Sequence, residues 1–147
     1  MRLKIILNCD SGVVLPFNYN HQLVKVINRA FHSANPLVHG RCSGFKQYTF
    51  SQLYFDEYKI AKSGIQHVGG PVHWYVSSPR IFFLEGLLKG LKSTGQISLC
   101  SSQMSIEDIE VLGDPDIQCR MEFSCMSPIS LASPVATLDS RPRYGRI

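Results

Sequence analysis

The stretch VHWYVSSPRIFFLEGLLKGLKSTG, Val72 to Gly95, reads as a strand handed directly to a helix. Val72 to Ser77 is the strand. Ser78-Pro79 then gives a helix-start signal, because serine caps a helix and proline at the first helical position has no amide to leave unbonded. Phe82, Leu84, Leu87, Leu88 and Leu91 supply the apolar stripe of that helix, Lys89 and Lys92 complement its C-terminal dipole, and Gly95 ends it. Upstream, Gly69-Gly70-Pro71 reads as a break, and Gln47 to Lys59 as a strand that pairs antiparallel with Val72–Ser77. Further back, Leu23, Val26, Ile27, Ala30 and Phe31 fall at helical spacing, so a helix capped by an asparagine of Asn18-Tyr19-Asn20 runs to about Phe31. Arg2 to Cys9 is a β-prone run stopped by Asp10-Ser11-Gly12. Downstream, Ile97–Cys100 and Ile106–Leu112 read as strands, and Gly113-Asp114-Pro115 closes the unit.

The resulting order, β-α-β-β-α-β, predicts an α+β domain of the ferredoxin-like type that RNA-recognition modules also use. It occupies residues 1–114. Residues 115–147 are expected to be an incomplete second unit or tail: Ile117 to Cys125 alternates like a strand, and the rest is biased towards Ser and Pro.

The 147 residues carry a net charge of +4 with 44% hydrophobic and 18% charged residues, the balance of one globular domain or slightly more. That mild charge hides an asymmetry. Residues 1–95 hold eleven Lys/Arg against four acids, whereas residues 96–138 hold one against six. A one-sided basic region fits a polyanionic partner, and a solvated basic face equally. No apolar run approaches the roughly 18 residues of a membrane helix, and Lys4 interrupts Leu3-Lys4-Ile5-Ile6-Leu7 as a signal core. A soluble, cytoplasmic chain with no membrane partner is expected. Its five cysteines are odd in number and have no two-residue pairing, so reduced, mostly buried thiols and no structural zinc follow. A nucleophile elbow and a phosphate loop are both absent from the sequence.

Four stretches remain: Met1-Arg-Leu-Lys-Ile-Ile-Leu7, Leu15-Pro-Phe-Asn-Tyr-Asn-His-Gln22, Gly44-Phe-Lys-Gln-Tyr-Thr-Phe-Ser51 and Met121-Glu-Phe-Ser-Cys-Met-Ser-Pro-Ile129. In this order and spacing the sequence resembles the CRISPR-associated repeat-RNA endoribonucleases of the RAMP superfamily, the sixth Cas protein. The resemblance implies metal-independent cleavage of CRISPR repeat RNA, in which the substrate's 2′-hydroxyl attacks the adjacent phosphate to leave a cyclic phosphate. No cofactor is implied. Such chemistry needs a proton donor and acceptor with a pKa near neutrality and a cation beside the phosphate.

In family members with a catalytic histidine it lies in the loop after the first helix, the place His39 takes here, and Lys46 matches an assisting lysine. A tyrosine on the first helix contributes in some members, and Asn28 stands at that position without a phenol. RNA contacts are expected from Lys25, Asn28, Arg29, Arg41 and Lys46, around the long loop His32–Phe45. His39 is also readable as a solvent-exposed imidazole, and Lys46 as a phosphate contact. His32 is the reserve candidate, and the helix C-terminus is a sufficient structural reason for it. His21 reads as part of the helix opening, and His67 and His73 as surface or strand residues without partners. Tyr48, Phe50, Tyr54 and Phe55 suit either a base-stacking face or a core. Members carry a second ferredoxin-like domain with a glycine-rich loop, to which nothing here corresponds. The chain is therefore expected to bind weakly or to need other Cas proteins or a homodimer partner. The alternatives are a non-catalytic RNA-binding or assembly subunit and a regulatory module with no nucleic-acid role.

Overall fold

A computed structural model describes residues 1–35 and 47–113, together with the backbone of Leu131–Ser133 and Arg143–Gly145. The chain divides into two compact units, Met1–Asp116 and Ile117–Ile147. In the first, the elements are β1 (Arg2–Cys9), β2 (Val14–Leu15), α1 (Asn20–Ala34), β3 (Thr49–Phe50), β4 (Tyr54–Ala61), β5 (Gly64–Ser77), α2 (Ile81–Thr94), β6 (Gln96–Leu99) and β7 (Ser102–Leu112). Among the described residues of the second, β8 (Leu131–Ser133) pairs antiparallel with β9 (Arg143–Gly145). The expected strand Ile117–Cys125 lies outside the described residues.

β1 is the centre of the sheet. It pairs antiparallel with β5 on one side and β7 on the other, and β4 pairs with β5, giving the order β7-β1-β5-β4 of a ferredoxin-like fold. β6 extends the sheet beyond β7. Alternation in β1 sends Leu3, Ile5 and Leu7 to the helix side, where they meet Val72, Trp74 and Val76 of β5, all at most 1% exposed. Leu23 and Ile27 of α1 and Leu84, Leu87 and Leu91 of α2 close the same core. The expected apolar face of α1, Leu23, Val26, Ile27, Ala30 and Phe31, is the buried set. No helix among the described residues is long and apolar enough to cross a membrane.

Several local expectations are corrected. α1 has Tyr19 at its N-cap with no side-chain cap bond, and it runs to Ala34. The Tyr19 ring is buried, and its hydroxyl accepts the Leu53 N–H at 3.0 Å, so a core anchor rather than an asparagine fixes where the helix begins. Pro79 does not open α2, whose N-cap is Arg80. Ser78 Oγ instead donates to the Gln47 carbonyl at 2.6 Å and accepts the Arg80 N–H at 3.1 Å.

The expected strand Gln47–Lys59 is two strands. Between them Ser51 Oγ accepts the Tyr75 N–H at 3.1 Å and Leu53 turns into the core, so side-chain bonds replace part of the ladder. Gly69-Gly70-Pro71 does not break the chain, because β5 passes through it. Gly70 takes φ +78°, the register of β4 shifts opposite it, and Pro71 lies beyond the last β1 pair, Leu7↔Val72. At such a bulge proline forfeits no ladder bond. His67 and His73 both lie in β5. His67 is buried, and His73 Nε2 is 3.5 Å from Asp56 Oδ1, so neither is a lone surface histidine. Cys9 is buried, as expected, whereas Cys100 is exposed in the β6–β7 turn at φ +57°.

α1 and α2 touch most closely at Gly90, where an added Cβ would overlap the Ala30 carbonyl. Gly90→Ala would ordinarily gain up to about 1 kcal/mol of helix propensity. Here the overlap is with backbone, so a net loss of about 1–3 kcal/mol is expected, read as a lower urea midpoint.

Burial raises the Tyr19 phenol above its ordinary value of 10.0, against the smaller opposing effect of the Leu53 N–H. The folded state therefore holds this proton after the unfolded chain has released it. The stability linked to it is present in full below about pH 10 and lost as pH rises through the higher folded value. Tyr19→Phe is expected to flatten that alkaline decline in urea melts taken over a pH series.

Candidate nucleic-acid interface

α1 contains no acidic residue. Its buried stripe faces the sheet and α2, leaving Lys25 and Arg29 exposed one turn apart and Asn28 half-buried beside them. Lys25 and Arg29 have no ion-pair partner among the described residues. His21 stands at the start of the helix, its Nδ1–H donating to the Asn18 carbonyl at 2.9 Å. His32 occupies the last turn, where a cation complements the dipole, with its ring edge-on to Phe31 at 5.8 Å.

The segment that follows α1 leaves from Asn35 and returns at Gln47, and both residues are held against α2. Asn35 donates from Nδ2 to the Phe31 carbonyl at 3.1 Å, and the same nitrogen would lie 2.5 Å from a Cβ placed on Gly86. Gln47 is held twice, its carbonyl by Ser78 and its Oε1 by Arg80 Nε at 2.9 Å. Next to it Tyr48 lies parallel to Phe83 at 5.0 Å, and Phe83 stacks in turn on Phe31 at 5.0 Å. Burial pushes the Tyr48 phenol up. Each such ring pair contributes about 0.5–1.5 kcal/mol beyond its buried area. The three rings therefore tie the end of α1, the start of α2 and the return of the segment into one rigid corner.

His39, Arg41 and Lys46 fall within residues 36–46, outside the described residues. Of the expected site residues, the structure describes Lys25, Asn28 and Arg29 and brings them together on one helix. Sequence reasoning missed Arg80, which grips Gln47. Its role follows from the pairing of distant segments, and no local spacing signals it.

The other face of the sheet has a different character. Tyr54 is exposed and meets Tyr75 edge-on at 6.0 Å, whereas Tyr48, Phe50 and Phe55 pack against the core. Lys4, opposite Tyr75 in the register, is bound to Glu110 at 3.0 Å, and that bond raises its pKa. Asp108 lies opposite Ile6 on the same side, so among the described residues the lysine at the middle of this face stands with acids beside it. Among the described residues no three His, Cys, Asp or Glu side chains are grouped as a metal site would need.

Comparison with known proteins agrees with this architecture. The family model for the N-terminal part of CRISPR-associated protein Cas6 matches residues 14–110. A CRISPR-associated endoribonuclease Cas6 of Methanocaldococcus jannaschii is 30% identical over 150 residues, covering 98% of this chain and 57% of that protein. A putative CRISPR-associated endoribonuclease-like Cas6 of Pyrococcus furiosus is 26% identical over 132 residues, covering 88% of this chain and 55% of its own length. A solved CRISPR-associated protein Cas6 superposes with a TM-score of 0.78 at 28% identity, over 99% of this chain and 62% of the other. A RAMP protein described as binding different RNA substrates superposes with a TM-score of 0.82 at 22% identity, over 99% of this chain and 61% of its own, a likeness of fold alone. The chain thus spans a little over half the length of the curated relatives it matches. With the family model matched across most of the first unit, the chain belongs to the Cas6 family of CRISPR-associated proteins.

Proposed function

We propose that the chain takes part in CRISPR RNA maturation by cutting repeat RNA without a metal ion, with residues 1–114 forming the ferredoxin-like RAMP domain and residues 115–147 beginning a second unit. The observation that carries this reading is the rigid corner between α1 and α2. It fixes both ends of the segment containing His39, Arg41 and Lys46 beside an acid-free helix that exposes Lys25 and Arg29. Membership of the Cas6 family supplies the chemistry to which residues of these types are suited.

In that chemistry His39 is the general acid and base. The ribose 2′-oxygen gives up its proton as it bonds to the adjacent phosphorus. The bond from phosphorus to the 5′-oxygen breaks, and that oxygen takes a proton, leaving a 2′,3′-cyclic phosphate and a 5′-hydroxyl. A histidine suits both transfers because its ordinary pKa lies near neutrality. Lys46 stabilises the charge that builds on the phosphate, where a single fixed cation is worth most in the transition state. Lys25, Asn28, Arg29 and Arg41 hold the RNA backbone on either side.

A second reading, a non-catalytic RNA-binding or assembly subunit, is favoured by Asn28. It is half-buried on α1 and brings no phenolic proton to the position where some relatives use a tyrosine. Other Cas proteins or a second copy would then complete the surface.

Labelled repeat RNA incubated with the chain in excess EDTA separates the two. Cleavage to cyclic-phosphate ends is expected, and His39→Ala is expected to slow it by about 10²–10⁴-fold. Cleavage by His39→Ala at the wild-type rate overturns the catalytic assignment, and salt-sensitive binding with no cleavage supports the second reading. Lys25→Gln is expected to weaken binding and to reduce the salt dependence by about 0.7 in the log–log slope, the share of one phosphate contact on a single strand.

A further inference from the structure

α1 faces more than the rigid corner. Between its C-terminal half, the end of α2 and the free edge of β6 lies a cleft of about 200 Å³. Buried Val26, Ala30, Leu91 and Ile97 form its floor. Arg29 stands at its rim, exposed and without a hydrogen bond or ion pair among the described residues.

The rim carries donors and acceptors but no carboxylate. Among the described residues β6 is the last strand of its sheet and pairs only with β7, so its other edge carries no described ladder. Ile106 N–H bonds to the Gly95 carbonyl at 2.9 Å, and in an antiparallel ladder alternate residues exchange such bonds. Ile97 and Leu99 therefore turn their backbone groups towards β7, while Gln96 and Ser98 turn theirs to the free edge, at the cleft. The two hydroxyls are set the other way. Ser33 Oγ–H donates to the Ala30 carbonyl and Thr94 Oγ1–H to the Gly90 carbonyl, at 2.8 and 2.5 Å, so each offers lone pairs. No acid lies on α1, on β6 or on α2 beyond Glu85. The acids of β7 are engaged elsewhere: Glu107 with Asn8, Glu110 with Lys4, and Asp108 with the Ile109 N–H.

We propose that this cleft is a backbone subsite that holds one ribose-phosphate step of a bound RNA strand, outside the scissile position. The Arg29 guanidinium and the free-edge amides take the phosphate oxygens. The Ser33 and Thr94 oxygens are placed to accept from a 2′-hydroxyl, the group that distinguishes RNA from DNA. Size points the same way, because pockets that hold a whole small molecule run to about 300–1,000 Å³. A smaller cleft open at the sheet edge suits one step of a polymer passing through. The inference rests on the reading of the chain as an RNA-processing protein.

Equilibrium binding of full-length repeat RNA, with a single 2′-deoxy substitution at the cleavage nucleotide to prevent turnover, tests it. Ser33→Asp places a negative charge in the cleft on an exposed side chain and is expected to weaken binding by about tenfold or more. Ser63→Asp, the same charge change in the β4–β5 turn at the opposite edge of the sheet, is expected to bind as wild type. Arg29→Gln, which breaks no hydrogen bond or ion pair among the described residues, provides the second variant and is expected to weaken binding in the same direction. Addition of a short oligoribonucleotide is expected to shift the amide resonances of Gln96 and Ser98. If wild type binds while Ser33→Asp and Arg29→Gln bind equally well and those amides do not move, the cleft is not a subsite and Arg29 is not a backbone contact, while cleavage of repeat RNA through His39 stands untouched. Failure of wild type to bind repeat RNA overturns both.

Discussion

The approach of α2 to α1 at Gly90, too close for any side chain, sets the geometry on which the rest of the domain depends. With the helices interlocked there, Gly86 comes against Phe31 and Asn35, and Phe83 comes between Phe31 and Tyr48. The end of α1 and the return at Gln47 are thereby fixed with respect to one another. Asn35 and Gln47 are thus anchored on packed rings and hydrogen bonds, a rigid support of the kind on which functional groups are best held. The interlock also leaves the outer face of α1 uncovered, so its two cations remain in water.

Charge separates the two faces of the sheet more clearly than the net figure does. The helix-bearing side presents Lys25 and Arg29 with no acid on the same helix. The opposite side carries Lys4 bound to Glu110, with Asp108 and the His73–Asp56 pair beside it. The first face therefore offers cations with no ion-pair partner among the described residues, and the second offers paired or negative groups. The exposed Tyr54 and its neighbour Tyr75 give the second face the rings of a base-stacking platform but little of the positive charge that supplies backbone affinity.

Most of the architecture was legible in the sequence, because it is written in periodicity. The apolar spacing of Leu23 to Phe31 and the Gly95 stop located both helices, and the β-α-β-β-α-β order led to the sheet topology. The errors lie where long-range contacts outrank local signals. Tyr19 opens α1 because its ring is buried and its hydroxyl meets Leu53, thirty-four residues away. Ser78 is drawn from capping to the Gln47 carbonyl, and Gly69-Gly70-Pro71 becomes a bulge because β4 shifts its register opposite. The candidate site was legible only in part. Lys25 and Arg29 follow from helical spacing, whereas Arg80 and the β6 edge become visible only when segments far apart in the chain are paired. His39 and Lys46 were reached by resemblance, since no spacing rule singles out one histidine of five.

Whether RNA lies on the helical side or on the open sheet face is the central question, and hydroxyl-radical footprinting with bound repeat RNA answers it most directly. The exposed side chains Ile81 and Phe82, next to the rigid corner, and His32 at the end of α1 report on one face. Tyr54 and Tyr75 report on the other. Protection of the first group with unchanged oxidation of the second is predicted. Protection of Tyr54 and Tyr75 with Ile81, Phe82 and His32 left reactive would contradict it.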